Sequence, residues 1–149
     1  MQKEIKTLVE LEEEARRFIE TLAPNPRTAT LITLSGELGA GKTAFVKEVA
    51  KVLGVEEVVN SPTFVLEKIY DLSKIGGHEV SFKRLVHIDA YRLEKGADLS
   101  SLGYDEIMKD PGNLILLEWP EKVSDSLPTP IAAISFVANP DGSRSISYG

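Results

Sequence analysis

The sequence predicts a single α/β domain over residues 1–149, in which helices flank a mixed sheet of parallel and antiparallel strands. Three observations predict this class. An apolar strand-like segment, a glycine-rich loop and a helical pattern follow one another between residues 29 and 54. Further strand-like segments come after them, and a strong turn signal divides the last two. The order is that of an α/β domain with extra strands near its end.

The first element predicted is a helix over Glu10–Ala23. Its apolar residues recur at helical spacing, at Leu11, Ala15, Phe18 and Leu22. On its outside we expect two opposite-charge pairs four residues apart, Glu12 with Arg16 and Glu13 with Arg17. A Pro-Asn-Pro segment then ends the helix before the first central strand.

The most informative segment is Gly36–Thr43, GELGAGKT, which fits the P-loop pattern G-x-x-x-x-G-K-[ST]. The strand Ala29–Leu34 precedes it and a helical pattern ending near Gly54 follows it, which is the required order. Glycines let backbone N–H groups surround a phosphate, a lysine adds charge, and a hydroxyl can ligate Mg²⁺. We therefore expect these residues to bind a nucleotide: Glu37, Leu38, Gly39, Ala40, Gly41, Lys42 and Thr43.

Two acids end apolar, strand-like segments after the loop, Asp89 after Leu85–Ile88 and Glu118 after Leu114–Leu117. Ligands of open α/β sheets bind at the carboxyl ends of the strands, and a P-loop site uses a carboxylate there to hold Mg²⁺. From the residues alone, either acid is a candidate. Thr63, in a Ser-Pro-Thr turn, is a candidate for a switch residue that senses the γ-phosphate.

The remaining elements are predicted from local pattern. Extended segments are expected at Phe64–Tyr70, Leu85–Asp89 and Asn113–Trp119, short helical turns within Asp98–Lys109, and a loop over Asp71–Lys83. The Asn-Pro-Asp-Gly turn between Ile131–Val137 and Ser143–Tyr148 predicts a terminal β-hairpin. His87 is expected to be a structural strand residue, and Trp119 to lie in the core or to cover the site.

Composition excludes several classes of function. The chain has no cysteine, so it has no disulfide, thiolate zinc site or cysteine nucleophile. Its net charge is −6 and its cations form no basic stripe, so a role on nucleic acid would require a partner. The start lacks the apolar segment of a signal peptide and no apolar run is long enough to cross a membrane, so we expect a cytoplasmic protein.

Four motifs taken in order resemble one family. They are GELGAGKT, Ser61-Pro62-Thr63-Phe64, the segment HIDAYRL at residues 87–93, and Glu118-Trp119-Pro120. Together they are similar to those of the bacterial TsaE proteins, the ATPases of threonylcarbamoyladenosine modification in tRNA. The resemblance extends from about Glu10 to Tyr148.

This resemblance implies a P-loop fold, Mg-ATP as cofactor, slow ATP hydrolysis, and a TsaB–TsaD complex as partner. In that family TsaD, not TsaE, transfers the threonylcarbamoyl group to adenosine 37 of tRNAs decoding ANN codons, so contact with tRNA is indirect. The resemblance makes Thr43 and Glu118 the Mg²⁺ residues, Asp89 a catalytic or water-positioning residue, and Thr63 the switch. It also implies adenine contacts from the N-terminal segment and from the last hairpin, which match Thr7–Glu14 and Gly142–Arg144 only loosely.

Two alternatives stay open from the residues. A P-loop phosphotransferase for a small molecule shares the loop and the size, but it needs a lid with several arginines, and here the arginines are dispersed. A nucleotide-gated adaptor would use ATP to change its affinity for a partner, with hydrolysis incidental. A GTPase is disfavoured because the chain has no N-K-x-D segment to read guanine.

Overall fold

The computed structural model describes residues 2–55, 67–72 and 82–149. The strands in these ranges are β1 (Gln2–Ile5), β2 (Thr30–Ser35), β3 (Glu67–Asp71), β4 (Arg84–Asp89), β5 (Asn113–Glu118), β6 (Ala132–Ala138) and β7 (Arg144–Tyr148). The α-helices are α1 (Leu8–Glu20), α2 (Lys42–Val52) and α3 (Tyr104–Lys109), and 3₁₀ helices lie at Gly96–Leu102, Pro120–Lys122 and Ser124–Ser126.

The seven described strands form one mixed sheet in the order β1-β7-β6-β2-β5-β4-β3. The four central strands, β6, β2, β5 and β4, run parallel to one another. The outer pairs β1–β7, β6–β7 and β3–β4 are antiparallel. The predicted fold class, a mixed sheet flanked by helices in an α/β domain, is therefore confirmed.

Both faces of the central strands are buried. For this reason the sequences of β2 and β5 are continuously apolar and do not alternate between apolar and polar residues. All six residues of β5 are buried. One face packs against α1 and α2, with Ile32, Phe45 and Leu116 in that core. The other face packs against the segment 96–108, with Leu31, Leu99 and Leu117 in a second core.

Helix α1 begins two residues before the predicted start, because Thr7 caps it by accepting a hydrogen bond from the Glu10 N–H at 3.1 Å. The expected Glu12–Arg16 pair is present at 3.9 Å. Arg17, however, pairs with Glu14 at 2.5 Å rather than with Glu13. Glu14 turns inward, where it is 3% exposed, so tertiary packing and not helical spacing selects the partner.

Most other predicted elements are confirmed, including the strands that end at Asp89 and Glu118, the helical turns of 96–109, and the terminal hairpin of β6 and β7. Strand β1 was not predicted, since it is short and only its last residue is buried. Thr63 lies outside the described residues, as do the rest of its motif and most of the predicted loop over Asp71–Lys83. Among the described helices none has the length and apolar character needed to span a bilayer.

Candidate functional site

The glycine loop, residues 36–43, connects β2 to the first turn of α2. A Cβ on Gly36 would lie 2.5 Å from the carbonyl oxygen of Phe136, so no other residue fits between the loop and β6. Gly41 has a φ of +110° and forms the N-cap of α2, a backbone conformation that favours glycine. The loop thus brings the N-terminus of an eleven-residue helix, with its free N–H groups, to the edge of the sheet.

Lys42, the first residue of α2, is only 5% exposed. Its Nζ donates to the carbonyl oxygen of Glu37 at 3.0 Å and to that of Gly36. Burial lowers the pKa of the Lys42 ammonium below its ordinary value, while the carboxylates of Glu118 and Asp89 oppose that shift. The side chain is a buried cation whose hydrogen-bond acceptors come from its own loop.

Thr43, the next residue, connects α2 to the end of β5. Its Oγ1 lies 3.2 Å from both carboxylate oxygens of Glu118, so the hydroxyl donates to the carboxylate. Glu118 is 2% exposed although it ends a strand. A threonine hydroxyl that donates its proton to a carboxylate still has oxygen lone pairs with which to bind another partner. Thr43 and Glu118 therefore place oxygen atoms side by side at one end of the sheet.

His87, on β4, is the third member of this cluster. It is fully buried, and its Nε2 lies 2.6 Å from Oε2 of Glu118. Its Nδ1 is buried without a hydrogen-bond partner among the described residues. A carboxylate oxygen can only accept a hydrogen bond, so the short contact fits an Nε2–H that donates to Glu118.

Asp89 lies beside Glu118 because β4 and β5 pair in parallel with these two residues in register. It is half-buried, and its Oδ1 accepts a hydrogen bond from the Tyr91 N–H at 3.0 Å. The two acids that the sequence singled out therefore end adjacent strands on the same face of the sheet.

Trp119 follows Glu118 and has a φ of +62°, the one non-glycine residue with positive φ in the described chain. Its ring centroid lies 4.1 Å from Nζ of Lys42 and 4.9 Å from the ring centroid of Tyr91. Of the two roles expected for Trp119, the structure favours covering the site, since the ring lies over the lysine of the loop.

A pocket of about 320 Å³ lies above this cluster. It is lined by Leu38, Gly39, Gly41, Lys42, Thr43, Ala44, Asp89, Glu118, Trp119 and Arg144. The structure thus brings together both candidate acids and most of the loop. Of the remaining loop residues predicted to bind nucleotide, Glu37 contributes a carbonyl to Lys42 and Ala40 lines a neighbouring pocket.

That second pocket, of about 220 Å³, is mostly apolar and shares Gly41, Ala44 and Arg144 with the first. Its other walls come from the start of the chain and from the last hairpin: Ile5, Lys6, Thr7, Leu8, Leu11, Ala40, Phe136, Gly142 and Ile146. Arg144 packs over Gly41 at the junction of the two pockets and donates from Nη1 to the carbonyl oxygen of Gly142 at 3.0 Å.

The side chains around the larger pocket fit the magnesium ion and the phosphate groups that the sequence motifs imply. Mg²⁺ prefers oxygen ligands and is commonly held by one or two carboxylates together with substrate phosphates. Thr43 and Glu118 offer such oxygens beside a helix N-terminus and a buried ammonium, which fit a phosphate. The described residues include no cluster of three His, Cys, Asp or Glu able to hold a metal ion.

One contact in this cluster was not predicted from the sequence. His87 is the buried strand residue that was expected, but its contact is with Glu118, which is 31 residues further along the chain. A signal was present: His87 and Asp89 are two apart in one predicted strand, so they share a face. The partner on that face became visible only with the register between β4 and β5.

The chain is similar to known proteins over most of its length. The family model described as threonylcarbamoyl adenosine biosynthesis protein TsaE matches residues 9–146. The chain belongs to the TsaE family. The TsaE protein of Rickettsia bellii is 31% identical over 140 residues, covering 93% of this chain and 90% of the relative. The TsaE protein of Bacillus subtilis is 33% identical over 136 residues, covering 91% of this chain and 79% of the relative.

A solved structure agrees with this assignment. The crystal structure of YdiB from Bacillus subtilis superimposes with a TM-score of 0.74 and 28% sequence identity, covering 99% of this chain and 83% of that one. The family and the fold that the motifs predicted are therefore confirmed.

Proposed function

We propose that this chain is a slow Mg-ATP hydrolase that supports threonylcarbamoylation of adenosine 37 in tRNAs decoding ANN codons, acting with a TsaB–TsaD type complex. Its relatives are named for the biosynthesis of this modified nucleoside. The observation that carries the ATP part of the proposal is the contact of Thr43 with Glu118 at 3.2 Å, in a pocket that also contains Lys42.

In the proposed complex the triphosphate occupies the larger pocket and the base the smaller, apolar one. The N–H groups of Gly39 to Thr43 and the ammonium of Lys42 bind phosphate oxygens, and Arg144 contacts the nucleotide where the pockets meet. Thr43 and Glu118 hold Mg²⁺. When bound, the ion neutralises charge on the β- and γ-phosphates.

Asp89 has the catalytic role in this proposal. It lies beside Glu118 and lines the larger pocket, so its carboxylate can orient a water molecule toward the γ-phosphate. Thr63 remains the proposed switch residue on the strength of its motif alone, since it lies outside the described residues.

The placement of the arginines and the net charge both favour a partner protein. Arg144 is the arginine that lines the larger pocket, and it already donates to the Gly142 carbonyl in the hairpin. P-loop enzymes often receive a rate-enhancing arginine in trans, worth ~10³–10⁵ in rate. The net charge of −6 also makes direct binding of this chain to tRNA unfavourable.

The decisive experiment is steady-state phosphate release while a TsaB–TsaD complex is titrated in, with tRNA modification assayed in parallel over repeated turnovers. We expect slow release from this chain alone, acceleration by the complex, and modification that continues over many turnovers when this chain is present. A nucleotide-gated adaptor would instead show complex formation that depends on ATP with an unchanged hydrolysis rate. Full multi-turnover modification in its absence would refute the pathway.

A further inference from the structure

We propose that His87 is a positioning residue that fixes the carboxylate of Glu118 for the magnesium ion; this rests on the proposed function. The basis is the hydrogen bond of 2.6 Å between His87 Nε2 and Glu118 Oε2. Both groups are nearly inaccessible to solvent, with side chains 0% and 2% exposed, so water does not compete for either.

Two described side chains, Thr43 and His87, donate hydrogen bonds to the Glu118 carboxylate, and they engage its two oxygens differently. The described contacts of the Glu118 side chain are Thr43 Oγ1, near both oxygens, and His87 Nε2, near Oε2 alone. The threonine hydroxyl has one proton, so it cannot by itself distinguish the two carboxylate oxygens. His87 removes this ambiguity. It engages Oε2 from the side of β4 and leaves Oε1 with Thr43 as its described partner.

The position of His87 in the sheet explains why it can do this. In the parallel register β4 residue 87 lies opposite Leu116, two residues before Glu118 on β5. Residues two apart in a strand share a face, so the imidazole lies on the same face as the carboxylate and reaches it from behind the pocket. His87 is not among the residues that line the larger pocket, which separates it from the groups that would touch nucleotide.

Loss of a group that orients a metal-binding side chain commonly weakens metal binding about 10- to 100-fold. A purely structural histidine would affect folding or nucleotide affinity in general, with no special dependence on Mg²⁺. The measurable quantity is therefore the Mg²⁺ coupling, defined as the ratio of ATP affinity in excess Mg²⁺ to ATP affinity in EDTA.

Three variants separate the hydrogen bond from the packing. His87→Gln retains an amide N–H at about the reach of Nε2, whereas His87→Asn has a donor that is too short, and His87→Leu has none. By calorimetric titration of each folded protein with ATP, we expect His87→Gln to keep the Mg²⁺ coupling within about threefold of wild type. His87→Asn and His87→Leu should lose about tenfold or more of it, with ATP affinity in EDTA nearly unchanged.

Glu118→Gln is the reference, and we expect it to lose the coupling as well. In that background His87→Leu should cause no further loss, because there is no carboxylate left to position. If every His87 variant keeps the coupling while Glu118→Gln loses it, the positioning role is wrong and the proposed magnesium site stands. If Glu118→Gln also keeps it, the proposed site itself is wrong.

Two further results would overturn the role of His87. One is a His87→Gln protein that loses as much coupling as His87→Leu, because the donor would then not matter. The other is an equal loss of ATP affinity with and without Mg²⁺, which is the signature of a general packing defect. If His87→Leu fails to fold, the comparison of His87→Gln with His87→Asn decides the question.

Discussion

The ammonium nitrogen of Lys42 lies 4.1 Å from the centroid of the Trp119 ring and donates to the Glu37 carbonyl at 3.0 Å. The backbone N–H of Trp119 donates to the Leu34 carbonyl at 3.1 Å, so the backbone that carries the ring is held against β2 just before the glycine loop. In the proposed complex with ATP, phosphate oxygens would compete with these contacts of Lys42. We therefore expect nucleotide binding at the loop to change the environment of the ring.

The first prediction follows from this coupling. Since Trp119 is the sole tryptophan of the chain, ATP should change the protein's tryptophan emission. Loss of a cation from the ring face and exclusion of water both alter the surroundings of an indole. The measurement is a fluorescence titration with ATP. Lys42→Met is the control, and its emission without nucleotide should already differ from wild type. An emission spectrum unchanged at saturating ATP would contradict the coupling.

Replacing Lys42 by Ala should weaken ATP binding about 10- to 100-fold, since a hydrogen bond to a charged group contributes ~1.5–3 kcal/mol. Lys47 lies on the same helix and is exposed, so Lys47→Ala is the matched control and should bind like wild type. Calorimetric titration measures both, and circular dichroism checks that each folds. Wild-type affinity in Lys42→Ala would exclude the phosphate role.

The two acids should affect the chemical step more than binding. Glu118→Gln and Asp89→Asn keep the size of each side chain and remove its charge, so we expect hydrolysis to fall at least tenfold further than ATP affinity does. Asp105, exposed on α3, supplies a control in Asp105→Asn, which should behave as wild type. Single-turnover hydrolysis and binding are measured on the same preparations. If both acid variants hydrolyse ATP at the wild-type rate, neither Glu118 nor Asp89 takes part in hydrolysis.

Base selectivity is predicted from the smaller pocket. None of its described lining residues is acidic, whereas guanine is usually read by a carboxylate that accepts from its ring N–H and amino groups. We therefore expect ATP to compete against a fluorescent ATP analogue about tenfold more effectively than GTP, a difference of roughly 1.4 kcal/mol. Equal competition by the two nucleotides would mean that the base does not bind in this pocket.

The fold was largely predictable because its signals are local. The glycine loop, the apolar β2 and β5 and the Asn-Pro-Asp-Gly turn each specify their own structure within a few residues. Strand β1 was not predictable, since Gln2–Ile5 is stabilised by pairing with β7 at the other end of the chain. The same reason hid the His87–Glu118 contact, whose two residues meet only through strand register.

Glu14 provides the clearest example of such a non-local contact and the last prediction. The Glu14 side chain is 2% exposed, and its carboxylate accepts hydrogen bonds from Arg17 at 2.5 and 2.9 Å and from the Tyr148 hydroxyl. The same carboxylate lies 3.4 Å from Lys3 Nζ. The cluster joins α1 to β1 and β7, the elements that form the walls of the smaller pocket. We expect Glu14→Gln to lower the free energy of unfolding by about 1–3 kcal/mol at neutral pH. Glu13→Gln, which changes an exposed residue on the same helix, should cost at most ~0.5 kcal/mol.

The pH dependence of this loss follows from the pKa of Glu14. Burial alone raises it, but the hydrogen bonds from Arg17 and Tyr148 outweigh burial, so the pKa in the folded protein lies below its ordinary value. A carboxyl group whose pKa is lower in the folded than in the unfolded protein stabilises the fold when it is ionised. This stabilisation is complete at pH values above the ordinary pKa of about 4.3, and it is lost as the pH falls through the folded pKa. Urea unfolding at several pH values should therefore show a constant difference between wild type and Glu14→Gln above about pH 5 and a shrinking one below it. A difference that stays constant down to pH 3 would mean that the carboxylate charge does not stabilise this corner of the fold.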